Sequence, residues 1–326
     1  MNKKMNYSPL SKLKNPIFLI IFIFLSLYTI SLIFPLVWGI MTSFKERVDF
    51  LSNSIFALPD FSYWDLNKGI EEYYGYDNPF GNYTKILMDS EIKTSSAYYK
   101  GFYKRTLIRN TATLDIADYI SNSILYAVVA SIIRTFSPMT VAYLCSKYKC
   151  KFASVVHVFV IFVITTPIVG GVTGTLNLAR QLGLFDNWAG TFIRSIGFAN
   201  TYFLIFFSFF EGASNTFAEA AEIDGASQFR VMVTIYFPLA KAMFSTVLLL
   251  TFVAAWNDYN TSLMFLPTHL TLAYAIYYFT STGASENDSA PFRIAAAMLL
   301  AIPVLVIFVI FKNKLMGNLS LGGLKE

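Results

Sequence analysis

The chain has 326 residues, of which 55% are hydrophobic and 14% charged, with a formal net charge of +5. Soluble proteins carry about a quarter charged residues, so this composition excludes an ordinary water-soluble enzyme and points to a polytopic membrane protein. No basic, aromatic-interleaved surface is present, and nucleic acid is not an expected partner.

Lys3, Lys4, Lys12 and Lys14 precede the first apolar run, Ile17–Met41. About 20 apolar residues in a helix cross a bilayer. The run is too long for a secretory signal and no small-x-small cleavage site follows it, so it reads as a retained span after a cytoplasmic tail, 1–16. A long connection follows, residues 42–118. It mixes charges of both signs with Tyr63, Trp64, Tyr73, Tyr74, Tyr76, Tyr83, Tyr98, Tyr99 and Tyr103. Such rings stack on sugars, but buried aromatics normally serve packing. An ordered cap, with a small core or a docked binding protein, is the stronger reading. A loop of this length is often functional.

Further apolar runs at Ile120–Cys145, Ala153–Leu176, Trp188–Phe210, Leu239–Trp256 and Ile294–Phe311 bring the expected spans to six, an all-α membrane fold. Six crossings put both termini on one side. Lys147, Lys149 and Lys151 follow the second run, Arg230 and Lys241 flank the fourth-to-fifth connection, and Lys312 and Lys314 follow the sixth. The opposite loops carry little beyond Arg180, Asp186, Glu286, Asp288 and Arg293. The positive-inside rule then makes the termini, the tail 312–326 and the segment 212–238 cytoplasmic, and the 42–118 connection extracellular.

Polar residues inside spans are candidates for a solute path. Arg134 sits mid-span, where a charge is costly unless it faces protein or water; an internal pairing and a solute contact both satisfy it, the pairing more readily. Thr165, Thr166 and Pro167, and likewise Arg194 and Asn200, either line a cavity or satisfy helix packing. Trp256, Asn257 and Asp258 offer a stacking face with polar groups at an outer mouth, or a membrane-interface belt.

Segment 212–238 is the most specific. Ser214 or Asn215 can cap a first turn, Glu219 and Glu222 share one short helix favoured by Ala220 and Ala221, and Gly225 can end it in the left-handed conformation after Asp224. A second helical run spans Ser227 to Tyr236. Pro238, lacking an N–H, suits the start of the next membrane helix. The expected product is a small rigid knob bearing carboxylates.

Metal and redox chemistry find little support. His157 and His269 are far apart, and no Cys pair has zinc-ligand spacing. Cys145 and Cys150, at the cytoplasmic end of a span, are expected as reduced thiols. No phosphate-cradling glycine loop ending in Gly-Lys-Ser/Thr occurs, so this chain is not expected to hydrolyse ATP itself, and no cofactor is expected.

Glu219-Ala220-Ala221-Glu222-Ile223-Asp224-Gly225-Ala226, followed by Phe237-Pro238-Leu239, resembles the coupling loop of ABC-importer permeases, although relatives usually carry Leu at the position of Phe237. Thr42–Lys45, Asn82-Tyr83, Asn122-Ser123, Ala142-Tyr143-Leu144, Trp256–Tyr259, Leu263–Leu266 and the tail Leu319–Lys325 resemble the sugar-importer branch, the relatives of the smaller maltose-importer membrane subunit. The likeness thins over Lys85–Arg109, a stretch longer than the family usually has. It implies the type I importer permease fold in a bacterial cytoplasmic membrane. It also implies a second homologous permease, two copies of an ABC ATPase, an extracellular solute-binding lipoprotein and a sugar substrate. Glu219, Ala220, Ala221, Asp224, Gly225, Ala226 and Pro238 become the ATPase-coupling residues. Competing readings are a permease for a non-sugar solute, an ion-coupled transporter without an ATPase, which would need buried carboxylates that the spans essentially lack, and a membrane-embedded glycosyl or acyl transferase using Asp60, Asp65, Glu71 or Glu72.

Overall fold

The computed structural model describes residues 16–63, 79–88, 91–100, 106–148, 150–166, 170–281 and 289–319. Expectations placed on Lys3, Lys4, Lys12, Lys14, Trp64, Asp65, Glu71, Glu72, Tyr73, Tyr74, Tyr76, Tyr103, Lys149, Pro167, Glu286, Asp288 and residues 320–325 lie outside the described residues.

The fold is mainly helical. Helix α1, Pro16–Ser43, is apolar throughout and buries only Gly39, Thr42 and Ser43 within the chain. Its last turn is closed from a distance. Asn82, on α3 (Gly81–Met88), donates its side-chain amide to the Ser43 and Lys45 carbonyls, each at 2.9 Å, and Tyr83 Oη donates to Ser43 Oγ at 2.8 Å. A helix terminus leaves carbonyls without intrahelical partners, and the Thr42–Lys45 and Asn82-Tyr83 motifs meet to satisfy them. Between them lies the short helix α2, Arg47–Ser52.

An antiparallel hairpin follows, which corrects the all-α expectation. Strands β1 (Ile92–Lys100) and β2 (Thr106–Leu114) pair in register from Ile92 with Leu114 to Lys100 with Thr106. The strand period of two decides the faces. Ile92, Tyr98 and Leu114 are buried, whereas Lys93, Ser95, Ala97, Arg109 and Thr111 are exposed. Only one face has something to bury, and that fixes the register.

Among the described residues three helices are long and apolar enough to cross a membrane: α1, α4 (Ile116–Lys147) and, over Ala290–Phe311, the last helix. Expected spans three and four each appear as two helices. The third comprises α5 (Lys151–Thr165) and α6 (Gly171–Leu182), and the fourth α7 (Trp188–Arg194) and α8 (Thr201–Gly212). The second break has a visible cause. Asn200 Oδ1 accepts from the backbone N–H of Tyr202 (3.0 Å) and Phe203 (3.3 Å), starting a new helix inside a continuous apolar run.

After α9 (Thr216–Ile223), α10 (Gln228–Leu239) meets α11 (Lys241–Trp256) at 73°, and this bent pair is a further span candidate. Residues Met232–Tyr236 within α10 form one π-helical turn, and the Phe237 N–H reaches the Met232 carbonyl. Pro238 has no donor for the Thr234 carbonyl and its ring crowds that group; the wider turn precedes it. The bend comes two residues after Pro238, so the proline closes α10, and the membrane helix begins beyond it. The chain continues through α12 (Tyr259–Phe265), α13 (Leu272–Ser281) and α14 (Ala290–Leu319).

Contacts group the chain into two units, Met1–Ile86 with Ser285–Leu299 and Leu87–Ala284 with Leu300–Glu326. The second holds the main core, where Tyr143, Phe203, Phe206, Phe210, Tyr236 and Val247 are essentially inaccessible. Tyr143 packs on Phe210 at 5.4 Å and on Tyr236 at 5.3 Å between ring centroids. Such pairs contribute about 0.5–1.5 kcal/mol each, which matters where lipid removes the hydrophobic drive between helices.

Candidate functional site

The knob around Glu219 is built from local rules. Asn215 occupies the N-cap position of α9 in helical conformation without a capping side chain, and Ser214 Oγ instead accepts from the Thr216 N–H at 3.2 Å. At the other end the Ala226 N–H reaches the Ala221 carbonyl (2.9 Å) and the Gly225 N–H the Glu222 carbonyl (3.0 Å). These are the paired bonds of a Schellman turn, with Gly225 at φ +81°. Ser227 then caps α10, its Oγ accepting from Arg230 N–H at 3.4 Å. Gln228 Nε2 donates to Glu222 Oε1, closing the two helices on each other.

The knob is fastened to the membrane core from below. Lys147, in the last turn of α4, donates to the Ala213 carbonyl (2.6 Å) and to Asn215 Oδ1 (2.9 Å), and its ammonium lies 4.8 Å from the Tyr236 ring centre. Tyr236 Oη donates to the Ser214 carbonyl at 3.1 Å, and Tyr148 Oη to Gln228 Oε1 at 3.2 Å. The outward side shows Glu219, Ala220, Asp224 and Gly225 beside Phe217, Ile223 and Phe229, the last two 87% and 71% exposed. Three large apolar side chains are thus exposed on an otherwise polar turn.

A second constellation gathers side chains from three helices. Asp258 caps α12 through the Thr261 N–H (3.1 Å), and its Oδ2 accepts from Tyr126 Oη and Thr261 Oγ1, each at 2.7 Å. Arg134 donates to Tyr126 Oη at 2.7 Å and stands 4.0 Å from Asp258 Oδ2. Arg194 donates to Thr261 Oγ1 at 2.9 Å, its guanidinium 4.0 Å from the Phe265 ring centre. Gly190 permits this placement of α7, because a Cβ there would come within 1.9 Å of the Leu184 carbonyl oxygen.

A third cluster centres on Asp186, which is 4% exposed and held at φ +55°. Its carboxylate accepts from Ser96 on β1, Asn110 Nδ2 on β2 (2.8 Å), and both the N–H (2.9 Å) and Oγ1 (2.8 Å) of Thr268, while His269 Nδ1 lies 3.6 Å away. Its own N–H donates to the Phe265 carbonyl at 2.9 Å. Burial alone would raise the carboxyl pKa; the nearby His269 and the hydrogen bonds from Ser96, Asn110 and Thr268 outweigh it and hold the group well below the ordinary carboxylate range.

The model of binding-protein-dependent transport system inner membrane components matches residues 139–315. The chain belongs to that family. Among similar proteins, the diacetylchitobiose uptake permease NgcG of Streptomyces coelicolor is 23% identical, the alignment covering 91% of this chain and 86% of the relative. The trehalose/maltose transport permease MalG of Thermococcus litoralis is 24% identical, covering 92% and 94%. A solved bacterial ABC transporter involved in import of the acidic polysaccharide alginate has a chain of the same fold, with a TM-score of 0.66 at 19% identity, covering 94% of this chain and 98% of that one. Membership makes the chain a multi-pass membrane component with an ATPase and a solute-binding protein as partners, and not itself an enzyme.

Within this family member the path candidates separate. Arg134, Arg194 and Asp258 converge, joined by Tyr126, Thr261 and Phe265, which the sequence reading did not select. The others have local tasks. Thr165 Oγ1 bonds back to the Ile161 carbonyl (2.9 Å), the Thr166 N–H closes α5 on the Phe162 carbonyl (3.0 Å), and Asn200 caps α8. Asn257 Nδ2 donates to the Val253 carbonyl at 2.8 Å. Trp256 is 6% exposed, stacks on Phe252 and donates to the Leu300 carbonyl at 3.0 Å. That indole offers neither a free stacking face nor a membrane-belt position in this chain. Asp60, the described member of the transferase set, accepts from the Ser62 N–H and Oγ, which lowers its pKa.

Proposed function

We propose that the chain is one of two permease subunits of an ATP-driven, binding-protein-dependent importer for a carbohydrate and forms half of the translocation pathway. The knob of α9 and α10 carries the reading. It is rigid by its own capping, fixed to α4 by Lys147, and set at 73° to the following span. A body of that kind transmits a displacement of its tip instead of absorbing it.

In this reading the path crosses six times, with the α5–α6 and α7–α8 pairs completing the third and fourth spans, and both termini lie in the cytoplasm. Each permease docks its knob in a groove of one of two ATPase subunits. Phe217, Ile223 and Phe229 supply apolar contact, and Glu219 pairs with a basic group. Closure of the ATPases on ATP swings the two knobs together and turns the solute cavity outward, where an extracellular binding lipoprotein delivers sugar. The carbohydrate class is supported by the uptake systems of the NgcG and MalG relatives.

Cysteine crosslinking tests it. Ala221→Cys in the assembled transporter should capture the ATPase subunit, with a yield that changes between ATP-bound and nucleotide-free states. Capture of no nucleotide-binding protein in either state would overturn the proposal.

A further inference from the structure

The charge balance of the Asp258 cluster leaves one cation unanswered. It holds two guanidinium groups, Arg134 and Arg194, and one carboxylate. Asp258 Oδ2 is already shared by Tyr126, Thr261 and the approach of Arg134. Arg194 makes a single hydrogen bond, to Thr261, and among the described residues no carboxylate lies within 4 Å of it. Guanidinium carries five N–H donors, so most of this one is uncommitted.

Its surroundings are shaped like a receptor. Arg194, itself exposed, borders an open groove of about 180 Å³ whose walls are mostly apolar, Leu178, Ala179, Leu182 and Phe265 among them, with the hydroxyls of Thr175 and Thr191. That volume exceeds by far what one water needs. The Phe265 ring supports one side of the guanidinium plane, and Gly190 sets the distance of α7 from the Leu184 turn. An arginine set over a ring face with most of its N–H donors outside the protein's own hydrogen bonds suits bidentate recognition of a planar anion.

We propose that this cavity receives a carboxylate of the transported solute, so that acidic saccharides such as uronate-bearing oligosaccharides are the class this subunit admits. The inference rests on the importer reading. Arg134 and Asp258 form the fixed neutral part of the site, and Arg194 is the residue that touches the solute anion.

The test uses the complete transporter, purified with its second permease and ATPases in nanodiscs without binding protein or nucleotide. Equilibrium dialysis compares cellobiuronate with neutral cellobiose. The wild type should prefer cellobiuronate by roughly tenfold, Arg194→Gln should erase the preference, and Arg194→Lys should keep part of it. Equal affinity for the two sugars, or an Arg194→Gln preference like that of the wild type, would overturn the inference. Should Arg194→Gln fail to assemble, Ala179→Phe, which fills the cavity and leaves every charge in place, decides: loss of cellobiuronate binding supports the site and retention rejects it. An anion supplied by the second permease instead would appear as release of that subunit from Arg194→Gln, with no sugar discrimination in the wild type. Absent ATPase stimulation by binding protein in the wild type sinks the importer reading; intact stimulation with indifferent sugar binding sinks only this one.

Discussion

Lys147 and Asn215 meet across 68 residues of sequence, Nζ donating to Oδ1 at 2.9 Å. The same ammonium holds the Ala213 carbonyl at 2.6 Å, so one side chain joins the end of α4 to the entrance of the knob. Hydrogen bonds from a charged donor contribute about 1.5–3 kcal/mol, less where water competes, as at the exposed Asn215. Lys147→Met keeps the aliphatic stem over Tyr236 and deletes both bonds. Expected is a knob that opens locally about tenfold more often, read as faster amide exchange over Thr216–Ile223 with unchanged exchange in the α4–α11 contact. Equal exchange rates in both proteins would refute the fastening role.

Gly225→Asp and Glu219→Lys separate docking from folding. A Cβ at Gly225 meets no atom within 4 Å, so the cost there is that of the left-handed backbone, about 1 kcal/mol. Both variants should insert and assemble at wild-type levels, since both positions are exposed on the knob. ATP hydrolysis should no longer rise with loaded binding protein. Normal stimulation in either variant removes that residue from the coupling surface.

Much of this knob is legible in the residues themselves, because capping and the αL glycine act within five positions of sequence. Helix α1 is legible for a different reason: its apolar run is long and uninterrupted. The break before Thr201 is not, since hydropathy sums over Ile196, Phe198 and Ala199 and does not register that Asn200 withdraws two N–H groups into a cap. Nor is the hairpin. Its buried face alternates Ile92, Thr94, Ser96 and Tyr98, and that face gains value from distant partners, the Pro267 carbonyl for Thr94, Asp186 for Ser96 and Phe185 for Tyr98. Trp256 misleads for the opposite reason: its sequence position at a helix end suits an interface, yet its partner is the distant Leu300 carbonyl.

The polar cluster makes a claim about energy. Tyr126 and Asp258 share a 2.7 Å bond inside a network that also holds Arg134 and Thr261. Hydrogen bonds inside membrane proteins average about 0.6 kcal/mol by double-mutant cycle, but a charged acceptor shared by two hydroxyls should exceed that. A cycle of Tyr126→Phe and Asp258→Asn, followed by unfolding in mixed detergent, should give about 1–2 kcal/mol of coupling. Additive losses would mean that the two side chains act independently.

Asp186 sets a pH limit on the hairpin. Its folded carboxyl lies below the ordinary range, while the unfolded group titrates near ~3.9. The anion therefore favours the docked hairpin at every pH above ~3.9, and this contribution disappears as pH falls through the lower, folded value. Amide exchange over Ile92–Tyr98, corrected for intrinsic rates, should stay flat from about pH 8 to pH 5 and rise only below about pH 4. Asp186→Asn should expose the hairpin at all pH values. An amide can accept at only one atom, and the Ser96, Asn110 and Thr268 donors then lose an ionised partner, at about 1–3 kcal/mol. Lys93→Ala, on the exposed face, should fall within about 0.5 kcal/mol of wild type. A hairpin that loosens near pH 6 would place the pH limit on a group other than Asp186, and one that Asp186→Asn leaves in place would show that strand packing through Tyr98 and Phe185, at 5.0 Å, holds it without the carboxylate.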